Sequence, residues 1–305
     1  MSQYRQLLLL AQDVELASPA AHRARALAKA TGAGLHVLGV FEPQGLSNWR
    51  EEQEIDQQIA DQFSHYRTRL NETVQCLRAD HGRTTGQAVQ AEDPLAAVLD
   101  CLLELRPDMV IKDTEVVSAL RRVFGGSFDA QLVRASPVPV HLVPAGCTPL
   151  PTMILAAVDT SLSAQQHDFN HTIVRAAIAM ALQCDAQLHL VCAYAIAPAF
   201  VADTSVALDW VEEYVAALRE PFDELADAYG VAAQCRHFME GAPVAVIAER
   251  VRALAADVVV MGVVQPKGLG KLLGDTTERT VSAGHCAVLA VGPASPIAIQ
   301  PPMES

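Results

Sequence analysis

An aspartate leading into an apolar run occurs twice in this chain, one domain length apart. Asp108-Met109-Val110-Ile111-Lys112 stands opposite Asp257-Val258-Val259-Val260-Met261, and Val140-His141-Leu142-Val143 opposite Val288-Leu289-Ala290-Val291. The offsets are 257 − 108 = 149 and 291 − 143 = 148, so the repeated unit is a whole domain. Apolar runs this short, bounded by turn residues, are the pattern of strands buried on both faces, and a parallel sheet covered by helices provides that setting. With 305 residues, 51% hydrophobic and 19% charged, the chain has enough apolar material for two such cores.

The rest of the sequence follows the same alternation. In the first copy, strands are expected at 7–11, 35–41, 85–91, 109–112 and 138–143. An alanine-rich helix at 19–31 is stopped by Gly32 and Gly34. A long polar helix at 51–80 carries the stripe Ile55, Ile59, Phe63, Leu70, Val74 and Leu77. Asp93-Pro94 opens a third helix with an acidic cap and a first-turn proline, and 127–134 forms a fourth. The second copy repeats the order, with strands at 153–158, 187–193, 233–239, 258–262 and 287–291. Its helices are expected at 167–183, 209–229, 243–255 and about 275–283. This alternation predicts an α/β fold of two tandem five-stranded parallel sheets, Rossmann-like in plan. The seam falls at 145–151, giving domains 1–147 and 148–293 and a proline-rich tail, 294–305, expected to be disordered.

A net charge of −13 argues against a nucleic-acid backbone or an anionic membrane as the main partner, since both want a basic face. No apolar stretch reaches the ~18–20 residues of a membrane span, and 7–10 is too short for the core of a signal peptide. Seven cysteines with no CxxC pair read as reduced thiols in a cytoplasmic protein.

In an open parallel sheet, ligands bind beyond the carboxyl ends of the strands, where the strand order changes direction. Asp159 follows the first strand of the second copy, and Gly262 ends its fourth. Onward from Gly262 the chain reads Val-Val-Gln265-Pro-Lys267-Gly268-Leu-Gly270-Lys271-Leu-Leu-Gly274-Asp275-Thr276. Glycines let backbone N–H groups surround an anion, and a helix beginning near Asp275 adds its positive end. Lys267 and Lys271 can neutralise phosphate charge, and Thr276 or Thr277 can donate a hydroxyl. Two commoner phosphate loops do not fit. GxxxxGK[ST] fails because Gln265 stands at its first glycine and Leu272 at its hydroxyl position. GxGxxG is missed by one residue and would follow the fourth strand instead of the first.

The strand ending Val260-Met261-Gly262, the glycine loop and the closing Gly274-x-Thr276 resemble the universal stress protein pattern, GxxGx(9)G[ST]. So do the strand ending Ala157-Val158-Asp159-Thr160-Ser161, the Gly241-Ala242-Pro243 turn before a helix, and the last strand, 287–291. The resemblance runs through nearly the whole chain, twice, and the arrangement is similar to the tandem, E-type members. It implies the adenine-nucleotide alpha hydrolase-like form of the fold. As in the nucleotide-binding members, it also implies ATP, with or without Mg2+, or a related adenine nucleotide. On that reading Asp159 lies near the adenosine, and Met261 and Gly262 beside the base or ribose. Gly268, Gly270, Gly274, Asp275 and Thr276 then surround the phosphates.

The second copy departs from the pattern at three points. Gln265 takes the second glycine position, and the step from Gly262 to Gly274 is 12, one shorter than the pattern's 13. Asp275 replaces the Ser or Thr, where a carboxylate repels phosphate or helps hold a divalent cation. The first copy departs further, with Asp113 and Val116 at the first two glycines and Gln12 or Asp13 in place of Asp159, although Gly126-Ser127 keeps the 13-residue spacing. An aspartate at the first glycine crowds a nucleotide and sets like charge beside it. That copy reads as a structural domain, with Arg121 and Arg122 still able to attract another anion.

The expected function is a stress-response regulator, not an enzyme, because no residue set forms an organised general base and any hydrolysis is slow. The alternative is a nucleotide-free scaffold that acts by dimerising through its last strands. His167 and His171, at i and i+4, mimic a zinc helix. With Asp168 in place of glutamate and no third ligand, they read as solvated helix-start residues. The remaining histidines, 22, 36, 65, 81, 141, 189, 237 and 285, show no ligand spacing. Trp49 and Trp210 read as core or dimer contacts.

Overall fold

A computed structural model describes residues 4–11, 18–43, 52–114, 127–160, 164–195, 207–263 and 286–292, the side chains of 52–54, 164–167 and 207–211 excepted. The chain divides into two compact units, Met1–Leu150 and Pro151–Ser305. The first holds β1 (Gln6–Ala11), α1 (Pro19–Thr31), β2 (Gly34–Phe41), α2 (Glu52–Asp80) and β3 (Thr84–Gln90). It continues with α3 (Pro94–Leu105), β4 (Met109–Asp113), α4 (Phe128–Ala135) and β5 (Val140–Val143). Its strand order is β3-β2-β1-β4-β5, paired in parallel.

The second unit repeats the plan with β6 (Met153–Val158), α5 (Ala164–Cys184), β7 (Gln187–Tyr194), α6 (Ala207–Ala228) and β8 (Arg236–Glu240). It closes with α7 (Pro243–Leu254), β9 (Val258–Gly262) and β10 (Ala287–Val291), in the order β8-β7-β6-β9-β10, again parallel. Each unit is therefore the five-stranded parallel α/β sheet that the alternation predicts. The order turns back between β1 and β4, and between β6 and β9, so the carboxyl ends of these two pairs are the topological switch points.

Local chemistry explains the elements. The Leu7–Leu10 side chains are at most 3% exposed, as a strand covered on both faces requires. Ser18 Oγ accepts the Ala21 N–H at 3.1 Å and Asp93 Oδ1 the Ala96 N–H at 3.0 Å, each one residue ahead of a proline that opens its helix. Gly32, at φ 71°, closes α1 in the left-handed conformation.

The repeated aspartates act as clips. Asp108 Oδ2 accepts the backbone N–H groups of Arg5 (2.6 Å) and Gln6 (2.9 Å). Asp257 Oδ2 does the same for Thr152 (2.7 Å) and Met153 (3.0 Å), and also accepts the Thr152 hydroxyl at 3.0 Å. In each unit the residue ahead of the fourth strand thus fixes the entry of the first.

Two strands differ from expectation. Residues 233–235 form a 3-10 turn, and the strand begins only at Arg236. Cys235 donates to Ala232 O, and Arg236 Nε to Val231 O, both at 2.8 Å, which holds the chain in the turn. The fifth strand begins at Val140 instead of 138, because Pro137 and Pro139 have no N–H for a ladder and Ser136 Oγ takes up the Val138 N–H at 3.2 Å. The helix expected near 275–283 and the tail 294–305 lie outside the described residues, as do Trp49 and the Trp210 side chain.

Candidate functional site

β6 and β9 are neighbours, and their last paired residues are Ala157 and Met261. Asp159 and Gly262 therefore sit together just past the carboxyl ends of the central strands, where a ligand would enter. Asp159 is exposed, and Asn170 of α5, itself 1% exposed, grips its backbone. Asn170 Oδ1 accepts the Asp159 N–H at 3.2 Å, and its Nδ2 donates to Asp159 O at 2.6 Å. The position from which the carboxylate projects is thereby fixed. Thr160 turns inward, donating to Leu218 O at 3.1 Å, 3.3 Å from Cys192 Sγ. Burial pushes the Cys192 thiol up, which makes it a core residue and not a nucleophile.

Gly262 packs closely beneath α5. A Cβ there would meet Phe169 Cζ at 2.8 Å and Ile173 Cδ1 at 2.9 Å, so glycine lets α5 close on the strand end. Met261 is the preceding residue of β9. Alternation along β9 sends its side chain to the opposite face, where it is 4% exposed among Leu155, Val191, Val246, Ile247 and Val251. Only its backbone borders the switch point. Gly241, at φ 145°, donates to Tyr194 O at 2.8 Å and delivers the chain to α7. Gly268, Gly270, Gly274, Asp275 and Thr276, with Gln265, Lys267, Lys271 and Thr277, lie outside the described residues.

At the switch point of the first unit the chain's own charges are paired with one another. Lys112 stands where the second copy has Met261 and is fully buried. Its Nζ donates to Asp129 Oδ1 at 2.7 Å and to Asp113 O at 2.9 Å, and lies 5.5 Å from the Phe128 ring centroid. The Asp113 carboxylate, expected to crowd a nucleotide, instead accepts the Ala20 N–H at 2.8 Å in the first turn of α1. Ser127 Oγ accepts the Ala130 N–H at 3.2 Å and so caps α4. Gln12, Asp13, Val116, Arg121, Arg122 and Gly126 lie outside the described residues. The Lys112–Asp129 pair and the Asn170 clamp are absent from the sequence reading. The one signal for the pair is a lysine inside an apolar strand; for Asn170 it is a polar residue on the buried face of α5.

Other candidates resolve into structural ties. His171 is half-buried, not solvated, with Nδ1 3.0 Å from the Tyr229 hydroxyl, which also accepts Arg175 Nε at 3.1 Å. The His167 side chain is outside the described residues. Among the described residues no three His, Cys, Asp or Glu side chains are grouped to hold a metal ion. Buried Arg23 donates to Thr148 O through Nη2 (2.8 Å) and Nε (3.2 Å), with Nη1 3.0 Å from His141 Nε2, which fastens residue 148 to α1 and β5. A groove of about 280 Å³ lies along His22, Arg25, Ala26, Lys29 and Pro149. Its two strongest cations, Arg25 and Lys29, are both paired with Asp80. No helix among the described residues is long and apolar enough to cross a membrane.

These features define a class: a chain of two tandem parallel α/β domains, each with its switch point between first and fourth strands. The sequence matches the universal stress protein family over residues 3–144 and 153–292, and the chain belongs to that family as a tandem two-domain member. It is 32% identical over 197 residues to the universal stress protein E homolog of Haemophilus influenzae, an alignment covering 61% of this chain and 62% of that relative. The chain thus spans less than two thirds of that relative's length. In fold it is similar to a functionally unknown protein from Pseudomonas aeruginosa (TM-score 0.72, 21% identity, 96% of this chain and 94% of that one). It is also similar to a universal stress protein from Archaeoglobus fulgidus (TM-score 0.66, 18% identity, 95% and 97%).

Proposed function

We propose that the second unit binds ATP or a related adenine nucleotide, and that the protein acts in the cytoplasm as a regulator through that occupancy, without catalysis. The observation that carries this reading is the pairing of β6 with β9, which brings Asp159 and Gly262 to one switch point. An exposed carboxylate on a clamped backbone suits the ribose hydroxyls, which need an acceptor at a fixed place. The glycine loop that follows Gly262 in sequence supplies backbone N–H groups for phosphates, with Asp275 available to a bound magnesium ion. In the first unit, Asp113 bound to α1 and Lys112 bound to Asp129 favour a structural role, and they lend the nucleotide-free scaffold reading its support.

Calorimetric titration with ATP and magnesium tests the proposal. Saturable binding is expected, and Gly274→Val, which puts a side chain where a phosphate would lie, removes it. No heat at millimolar ATP would overturn the reading and favour a scaffold that dimerises without nucleotide.

A further inference from the structure

The second strand of each unit carries a histidine at the same place, His36 in Gly34-Leu35-His36 and His189 in Gln187-Leu188-His189. Both are buried, at 7% and 6% exposure. His36 Nδ1 lies 2.9 Å from Thr85 Oγ1, and His189 Nδ1 lies 2.8 Å from His237 Nε2. Each leaves a buried Nε2 with no partner among the described residues. In the second unit the neighbour is itself titratable. The His189 and His237 rings lie edge to edge and nearly coplanar, with centroids 5.1 Å apart and planes within 4°.

The pair sits between β7 and β8, and β8 is the edge strand of the second unit. His189 shares a face with Val191, which packs against Val246, Ile247 and Val251 of α7. From α7 the pair faces Arg250, whose Nη2 bonds Glu249 Oε1 at 2.6 Å and whose Nε is buried without a partner among the described residues. In the adjoining 3-10 turn, the Cys235 sulfur accepts Gln187 Nε2 at 3.5 Å. No described group here has a carboxylate to offer a second cation except Glu249, which Arg250 already holds.

Two neutral imidazoles share one N–H···N bond. Protonating both leaves neither nitrogen able to accept, and sets cation against cation beneath a guanidinium. Burial lowers the His189 pKa, and burial, His189 and Arg250 together lower that of His237. His36 is also lowered by burial, with Glu104 opposing, but its partner is a hydroxyl that does not titrate.

We propose that the hydrogen-bonded His189–His237 pair is an acid-sensitive latch, which holds β8 and α7 on the second sheet and loosens them when it takes up protons. Both rings favour the neutral form in the fold, so the latch contributes its full stability above the ordinary value of 6.5 and loses it as pH falls below that value. Because the chain enters α7 from Gly241, whose N–H donates to Tyr194 O, loosening also reaches the carboxyl end of the sheet. The inference stands whether or not a nucleotide binds.

Hydrogen exchange on the full chain at about pH 7.5 and about pH 5.5, corrected for intrinsic rates, is the test. Exchange across 236–254 should rise several-fold at the lower pH relative to 153–158, and His237→Gln, which keeps a hydrogen-bonding group but cannot titrate, should flatten the response. An unchanged ratio in the wild-type chain, or a full response in the variant, would overturn the latch. Should the variant fail to fold, an NMR titration of the wild-type imidazoles decides: both must titrate below the ordinary value, and titration at or above it contradicts the proposal.

Discussion

Lys112 carries its charge into a place that solvent does not reach. Removing an ammonium and a carboxylate from water costs several kcal/mol per ion, returned only by close pairing and further hydrogen bonds. Asp129, Asp113 O and the Phe128 ring supply them. Lys112→Met installs the residue of the second copy but strips Asp129 of its cation. Urea unfolding of the first unit should show a loss of about 3–5 kcal/mol. Lys112→Met with Asp129→Ala, which removes both charges, should recover most of it. A single-variant loss below about 1 kcal/mol would contradict the buried-pair account. Asp159 and Gly262 were legible in the sequence because a strand's end can be read from where its apolar run stops. The Lys112–Asp129 pair was illegible because it joins a strand to a helix 17 residues on, a contact that periodicity within either element does not give.

Among elements, the repeated aspartate that marks each fourth strand in the sequence is also the group that fixes each first strand. Asp257→Ala removes three hydrogen bonds to one carboxylate oxygen and should destabilise the second unit by about 1.5–3 kcal/mol. Hydrogen exchange should rise across 153–158 and not across 6–11; an equal rise in both would show that the clip is not local. Two helix starts were directly readable, Pro19 and the Asp93-Pro94 cap, whereas α5 and α6 begin at Ala164 and Ala207, ahead of the expected 167 and 209. The strand expected at 233–239 starts three residues late because composition cannot distinguish a strand start from a 3-10 turn, and the deciding bond is local, Cys235 N–H to Ala232 O. Similarly, prolines 137 and 139 trim a strand that hydrophobicity alone extends.

At the scale of the whole molecule, two copies of one fold end in different chemistry. The first unit binds its own carboxylates at its switch point, while the second presents Asp159 beside a glycine packed against Phe169. The fold follows from the repeat, and the proposed function rests on the asymmetry between the switch points. On that proposal a single nucleotide binds per chain, held by the second unit, and a native-state ligand of that kind would raise stability by mass action. Counting bound ATP per intact chain by equilibrium dialysis at saturating nucleotide and magnesium tests this most directly. The account predicts one equivalent, lost in Gly274→Val and retained when Asp113 is changed to Asn; two equivalents, none, or one that survives Gly274→Val would contradict it.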